Sequence, residues 1–234
     1  GGGPAFAQAP RRGGVLTVQL NGEQRVLNPV IRASTGVYIV TSKIMEPLVD
    51  LDASGKPAPV LATSWSATPD GLTHTFKLRT GVTFHDGTAL SAENAAAALT
   101  FAATAAKPPR VLDGVKLTAK ADGKDLLLTT AAPDPLMPQR LSSPQLVILS
   151  PAAYPSSADG AIDPVGHGTG AFILKQANGS SGATLERNDK WWGAAPKLET
   201  VTLHVLDDSA LGQAFANKEI DVLDYIFSAD VYQQ

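Results

Sequence analysis

Short stretches of alternating apolar and polar residues are the most regular pattern in this chain. In residues 73–79, His74, Phe76 and Leu78 fall on one face, with polar side chains between them, as in a half-buried strand. Turn pairs such as Asp70-Gly71 separate such stretches. The pattern predicts strands at residues 15–20, 73–79, 115–118, 126–130, 146–150, 171–176, 184–187, 201–205 and 220–223.

Three segments have helical rather than alternating patterns. Residues 34–45 place Val37, Val40 and Ile44 on one face, and Pro47 stops the helix soon after. The alanine-rich residues 92–106 follow Ser91, a good N-cap. A third helix is predicted from Asp208 or Ser209 to about Asn217. Short mixed strands with few helices and no fixed repeat predict an α+β fold.

Composition removes several functional classes. The 234 residues allow one large domain or two small ones, and the net charge of −3 with only scattered basic residues gives no case for nucleic-acid binding. The absence of cysteine excludes disulfides and thiolate chemistry. No apolar run approaches the roughly 20 residues that a membrane span needs.

The N-terminal residues GGGPAFAQAPRRGG have no apolar centre, so they do not form an intact signal peptide. They read as the end of a cleaved signal, as the tether after a lipidated cysteine, or as a cloning remnant. On each reading we expect residues 1–13 to form a disordered tail before a folded unit over residues 14–234.

Candidate chemistry in the sequence is sparse. The four histidines show no helical metal spacing, and we expect neither metal nor cofactor. His167 is the best functional candidate among them, because it lies in the glycine-rich residues 166–170. Those glycines indicate either a tight strand entry or backbone that faces a ligand. No nucleophile motif is present, so we predict that the protein is not an enzyme.

Motifs along the chain resemble those of the family 5 extracellular solute-binding proteins of ABC importers. The matching segments are Leu27-Asn28-Pro29, Glu46-Pro47-Leu48-Val49, residues 59–65 (PVLATSW), residues 70–87 through "GVTFHDG", Ser91-Ala92-Glu93-Asn94, Gly168-Thr169-Gly170, Trp191-Trp192-Gly193 and Lys218-Glu219-Ile220-Asp221. Each is short, but their number and order are specific, and together they cover about residues 14–225.

The resemblance implies the large lobe, domain I, of a two-lobe type II periplasmic binding protein, with the second lobe absent or incomplete here. It implies that Trp65 and Trp191 belong to the core, while Trp192 could belong to the core or to a cleft. The ligand-binding candidates that we take from the family pattern, the glycine segment and the arginines downstream are Arg32, Val37, Tyr38, Arg110, His167 and Thr169.

The function that the resemblance implies is capture of a peptide or similar small polar solute outside the cytoplasmic membrane, for delivery to an ABC permease. The protein would be periplasmic or extracellular and membrane-anchored, and monomeric at full length. Alternatives are a nickel-chelate or haem-type receptor of the same family, or a ligand-sensing regulatory domain. In the nickel branch an arginine pair is expected, for which the nearest residues are Arg110 and Arg140.

Overall fold

A computed structural model describes residues 13–20, 35–156, 162–177, 182–206 and 208–223. Two larger sheets and a small two-stranded one, with helices packed against them, form the described part of the chain. This arrangement confirms the α+β class. Within this part, no helix is both long enough and apolar enough to cross a membrane.

The larger sheet joins the beginning and the end of the described chain. Its strands are β1 (Val15–Leu20), β8 (Phe172–Ala177), β9 (Gly182–Arg187), β10 (Thr200–Val205) and β11 (Val222–Leu223). Their order is β11-β1-β10-β9-β8. β1 is parallel to both β10 and β11, whereas β8, β9 and β10 are antiparallel neighbours. The first strand is therefore paired on both sides by strands from the far end.

The second sheet is wholly antiparallel, in the order β4-β5-β7-β6. Its strands are β4 (Ala62–Ala67), β5 (Thr73–Leu78), β6 (Leu117–Asp122) and β7 (Asp125–Thr130). A small pair, β2 (Val49–Leu51) and β3 (Pro57–Pro59), precedes it. Trp65 of β4 packs near Phe76 of β5, with ring centroids 6.1 Å apart, on the core side of the sheet.

In the described residues, four helices connect and cover the sheets: α1 (Thr35–Ile44), α2 (Ala92–Thr104), α3 (Met137–Arg140) and α4 (Asp208–Ala216). The side chain of Ser91 accepts a hydrogen bond from the Asn94 amide at 3.2 Å, which confirms the N-cap of α2. α2 buries its alanines and Leu99 against β6 and β7. Short 3₁₀ turns lie at Arg110–Leu112, Pro144–Leu146 and Pro151–Ala153.

One continuous core joins the two larger sheets. It contains residues from α1, α2, β5, β7, β8 and β9, including Val40, Leu99, Phe76, Leu126 and Leu185, each at most 1% exposed. Because side chains from both sheets share this core, the sheets are held as one packed unit rather than two separate ones.

Most predicted elements are confirmed, and one is wrong. The strand predicted at residues 115–118 is present with later bounds, as β6, and pairs antiparallel with β7. Residues 146–149 are buried as expected but form no strand: among the described residues their ladder contact is a single bridge between Ile148 and Glu46. An apolar run predicts burial, yet strand pairing also needs a neighbouring strand in register.

Buried His74 gives the fold a pH dependence. Its ring lies on the core face of β5, 3% exposed, and Nδ1 has no hydrogen-bond partner. Burial lowers the pKa of His74 below 6.5, although the charge of Asp134 opposes the shift. The unfolded chain therefore takes up a proton first as the pH falls, and we expect the free energy of unfolding to decrease below about pH 6.5.

Urea unfolding between pH 7.5 and 5.5 checks this expectation. His74→Leu should flatten the profile, while the exposed His204→Gln should leave it unchanged. Some slope should remain in His74→Leu, because burial also lowers the pKa of His85. An identical slope in the wild type and His74→Leu would contradict the assignment.

Candidate ligand-binding surface

Helix α1 carries the candidates from the early part of the chain. Tyr38 is partly buried, and this burial raises the pKa of its phenol. Val37 lies next to it in the same helix. Arg32 lies outside the described residues. The structure thus places Tyr38 at the surface of a core helix, with its aromatic ring partly accessible.

The two arginines lie near each other but in different environments. Arg110 is exposed in the 3₁₀ turn after α2. Arg140 donates from Nη1 to the carbonyl oxygen of Val111 at 2.6 Å and from Nε to Asp134 at 2.7 Å. Arg140 is therefore used in holding α3 to the turn that contains Arg110, and its charge is balanced by a buried carboxylate.

A buried carboxylate, Glu46, accepts three side-chain hydrogen bonds close to the end of α1. It follows the helix by two residues and is 8% exposed. Its Oε2 accepts hydrogen bonds from Thr169 Oγ1 and Trp192 Nε1, both at 2.8 Å, and its Oε1 accepts one from Trp191 Nε1 at 3.0 Å. Three donors from two distant segments converge on this one carboxylate.

Arg79, at the end of β5, completes what we call the Glu46 cluster: Glu46, Arg79, Thr169, Trp191 and Trp192. Its guanidinium carbon lies 4.0 Å from the centre of the Trp192 ring, a cation–π distance. Burial raises the pKa of Glu46, while the three hydrogen bonds and the charge of Arg79 oppose the shift. The cluster connects α1 to segments belonging to both larger sheets.

The glycine segment, residues 166–170, is packed against the C-terminal end of α1. A side chain at Gly168 would overlap the carbonyl oxygen of Ile44, and one at Gly170 would lie 2.5 Å from the carbonyl oxygen of Lys43. The Gly170 amide donates to the Ile44 carbonyl at 3.1 Å. These contacts support the first interpretation of the glycines, a tight entry into the strand that follows. Thr169, between them, is 1% exposed and donates to Glu46.

His167 contacts Ser150 and Asp86, but not in the geometry of a catalytic triad. Its Nδ1 lies 2.9 Å from Ser150 Oγ and 3.3 Å from Asp86 Oδ2. A triad uses the two ring nitrogens for the two partners, whereas here both partners meet one nitrogen. Ser150 is also fully buried, so no substrate reaches its hydroxyl. The arrangement fits a structural tie.

The sequence pattern misses two tertiary ties. The Nε2 atom of His85 lies 3.0 Å from the Gly170 carbonyl oxygen, 85 residues away. Asn188 Nδ2 donates to the same oxygen at 3.0 Å. Glu46 was seen only as part of a motif. A glutamate directly before Pro47 in an otherwise apolar stretch was the available signal, because a buried charge needs partners.

A cavity of about 210 Å³ opens beside the Glu46 cluster. Its lining combines hydroxyls, two carboxylates and apolar groups, among them Thr41, Met45, Glu46, Asp50 and Val147. A larger one of about 400 Å³ lies at the start of α2, next to Arg79 and Lys124. No group of three acidic or histidine side chains in the described residues is arranged to hold a metal ion.

Comparison with known proteins defines the class. The model of the bacterial extracellular solute-binding proteins, family 5, middle region, matches residues 56–234. The chain belongs to this family. Its fold is that of a periplasmic binding protein: the crystal structure of NikA from Brucella suis in complex with Fe(III)-EDTA superposes with a TM-score of 0.79 at 28% identity, over 89% of this chain and 43% of NikA.

Two curated relatives bind different solutes. The nickel-binding periplasmic protein of Escherichia coli K12 is 31% identical over 207 residues, which is 84% of this chain and 38% of that protein. The glutathione-binding protein GsiB of Pectobacterium atrosepticum is 32% identical over 178 residues, covering 73% of this chain and 34% of GsiB. The chain thus spans less than half the length of these relatives.

Proposed function

We propose that the protein is the substrate-binding component of an ABC importer and is not an enzyme. It captures a peptide or similar small polar solute outside the cytoplasmic membrane and delivers it to the permease. Family membership carries this proposal, because the matching model covers residues 56–234 and describes extracellular solute-binding proteins. The glutathione-binding relative supports a small peptide as the solute class.

The described residues serve this function as one side of a cleft. The lobe is held rigid by its continuous core, and α1 presents Tyr38 at its surface. The cavity of about 210 Å³ beside α1 is smaller than the roughly 300–1,000 Å³ of complete small-molecule pockets. A second lobe closing over this surface would complete the site and exclude water, and binding would favour the closed state.

The candidate residues predicted from the sequence have different roles in this proposal. Tyr38, with Val37 and Arg32 beside it along the chain, is our first choice for direct ligand contact, and the exposed Arg110 is the second. Thr169 is almost wholly buried and donates to Glu46, and His167 contacts Ser150 and Asp86. Their contribution to binding is therefore to support α1 rather than to touch the solute.

A nickel chelate is the second candidate solute. It is favoured by the 31% identity to the nickel-binding periplasmic protein and by the similarity to NikA. A chelate brings its own ligands, so a receptor can hold it through aromatic and cationic side chains. Tyr38 and Arg110 are of these types.

Mass spectrometry of the solute that co-purifies with the full-length protein tests the proposal. Native spectra that show a peptide-sized adduct, lost on denaturation, would support the first candidate, and nickel measured by elemental analysis would support the second. Tyr38→Ala should carry at least tenfold less adduct, while Tyr154→Phe, at a partly buried tyrosine that packs against the core, serves as the matched control. A full-length protein that carries and binds neither class would overturn the proposal.

A further inference from the structure

The C-terminal end of α1 is held by segments that come from elsewhere in the chain. Gly170 donates its amide to the Ile44 carbonyl, and Ile148 donates to the Glu46 carbonyl, both at 3.1 Å. Gly168 fits beneath Ile44 because it lacks a side chain. These backbone contacts hold the C-terminal end of the helix, while Val40 and Ile44 pack into the core.

The Glu46 carboxylate adds side-chain contacts, one from the glycine segment and two from a further segment. Thr169 comes from the segment before β8, and Trp191 and Trp192 come from the segment after β9. The indole N–H groups and the hydroxyl can all donate, and a carboxylate accepts on both oxygens. Hydrogen bonds to an ionised acceptor are also about twice as strong as neutral ones.

We propose that Glu46 is a positioning residue for the binding surface: its contacts with Thr169, Trp191 and Trp192 set the orientation of α1 and, through it, the place of Tyr38. This inference rests on the proposed function for its purpose. The attachment of α1 through Glu46 can be measured without any solute, because it concerns how firmly one helix is held to the rest of the described chain. Because Tyr38 lies on the same short helix, a change of axis at Ile44 moves the ring with it.

An amide at position 46 cannot replace the carboxylate. Glutamine offers one oxygen and one NH₂ group, so either orientation points an N–H at a donor. With the nitrogen in the place of Oε1, the Trp191 bond is lost; with the nitrogen in the place of Oε2, the Trp192 bond is lost. Glu46→Gln thus preserves shape while loosening the attachment.

Hydrogen exchange of the chain, followed by mass spectrometry, tests the inference. In Glu46→Gln we expect the amides of α1, Thr35–Ile44, to exchange at least tenfold faster, with those of β7, Asp125–Thr130, unchanged. Thr169→Val removes one bond and should give a smaller increase in the same segment. Thr169→Ser keeps the hydroxyl, so the amides of α1 should exchange at the wild-type rate.

Tryptophan emission gives a second readout. Trp191 and Trp192 lose a carboxylate partner in Glu46→Gln, so their emission should shift, and Thr169→Ser should show no shift. Equal acceleration in α1 and β7 would mean general destabilisation and would overturn the inference, as would an unchanged α1. Neither outcome depends on a bound solute, so failure here is distinct from failure of the transport proposal.

Discussion

Replacing Glu46 by leucine is expected to lower the free energy of unfolding by about 3 kcal/mol, because three donors lose their acceptor in a partly or fully buried site. Leucine is close to glutamate in size, so the loss comes from hydrogen bonding rather than from a cavity. Part of the penalty is offset, since burying a carboxylate is itself unfavourable and burial raises the pKa of Glu46.

Urea unfolding followed by circular dichroism at neutral pH measures this change. Glu186→Leu is the matched control: its side chain is 53% exposed and pairs with Lys175 only at 3.6 Å. An exposed pair of this kind contributes roughly 0–1 kcal/mol. If both variants lost the same stability, the Glu46 cluster would not have the role we assign to it.

Gly168→Ala is expected to cost about 3 kcal/mol or more, because the new methyl group would overlap the Ile44 carbonyl oxygen. The atoms that the new methyl group would overlap are backbone atoms of Ile44, which cannot rotate away as a side chain could. Either α1 or the glycine segment must therefore shift. The same shift would strain the Thr169–Glu46 hydrogen bond, and we therefore expect the variant to show a lower midpoint in thermal unfolding.

Gly166→Ala separates this overlap from ordinary backbone strain. Gly166 has φ +72°, which alanine adopts only at a cost of about 1–2 kcal/mol, but no atom lies within 4 Å of its added carbon. The loss at Gly166 should therefore be clearly smaller than that at Gly168. A larger loss at Gly166 would show that packing against α1 is not what the glycine segment provides.

Local patterns predict many of the described elements, because these are determined largely by neighbouring residues, but they do not predict β2, β3 or β4. The alternation of His74, Phe76 and Leu78 and the Ser91 cap both appear in the structure as expected. The pairing of β1 with β10 and β11 does not follow from such patterns. Nothing in residues 15–20 identifies their partners, since register depends on contacts made only in the folded chain.

The candidate surface was predictable only in part. The family resemblance predicts α1 as a ligand-binding helix and Tyr38 as a ligand contact. The role that we propose for Glu46 depends on its contacts with residues 169, 191 and 192, which are distant in sequence. Thr169 shows why: a threonine between two glycines predicts exposed, adaptable backbone as readily as a buried hydroxyl. In the structure Thr169 is 1% exposed and donates its hydroxyl to Glu46, which distinguishes the two.

The position of β1 between β10 and β11 has a consequence for how the protein is made. Val15–Leu20 pair in parallel with Thr200–Val205, so this strand has no partner until nearly all of the described chain has left the ribosome. The antiparallel sheet around β5 can form much earlier, from residues 62–130. Such long-range pairing is slow to form. The first strand therefore stays unpaired with β10 through most of the synthesis of the described chain.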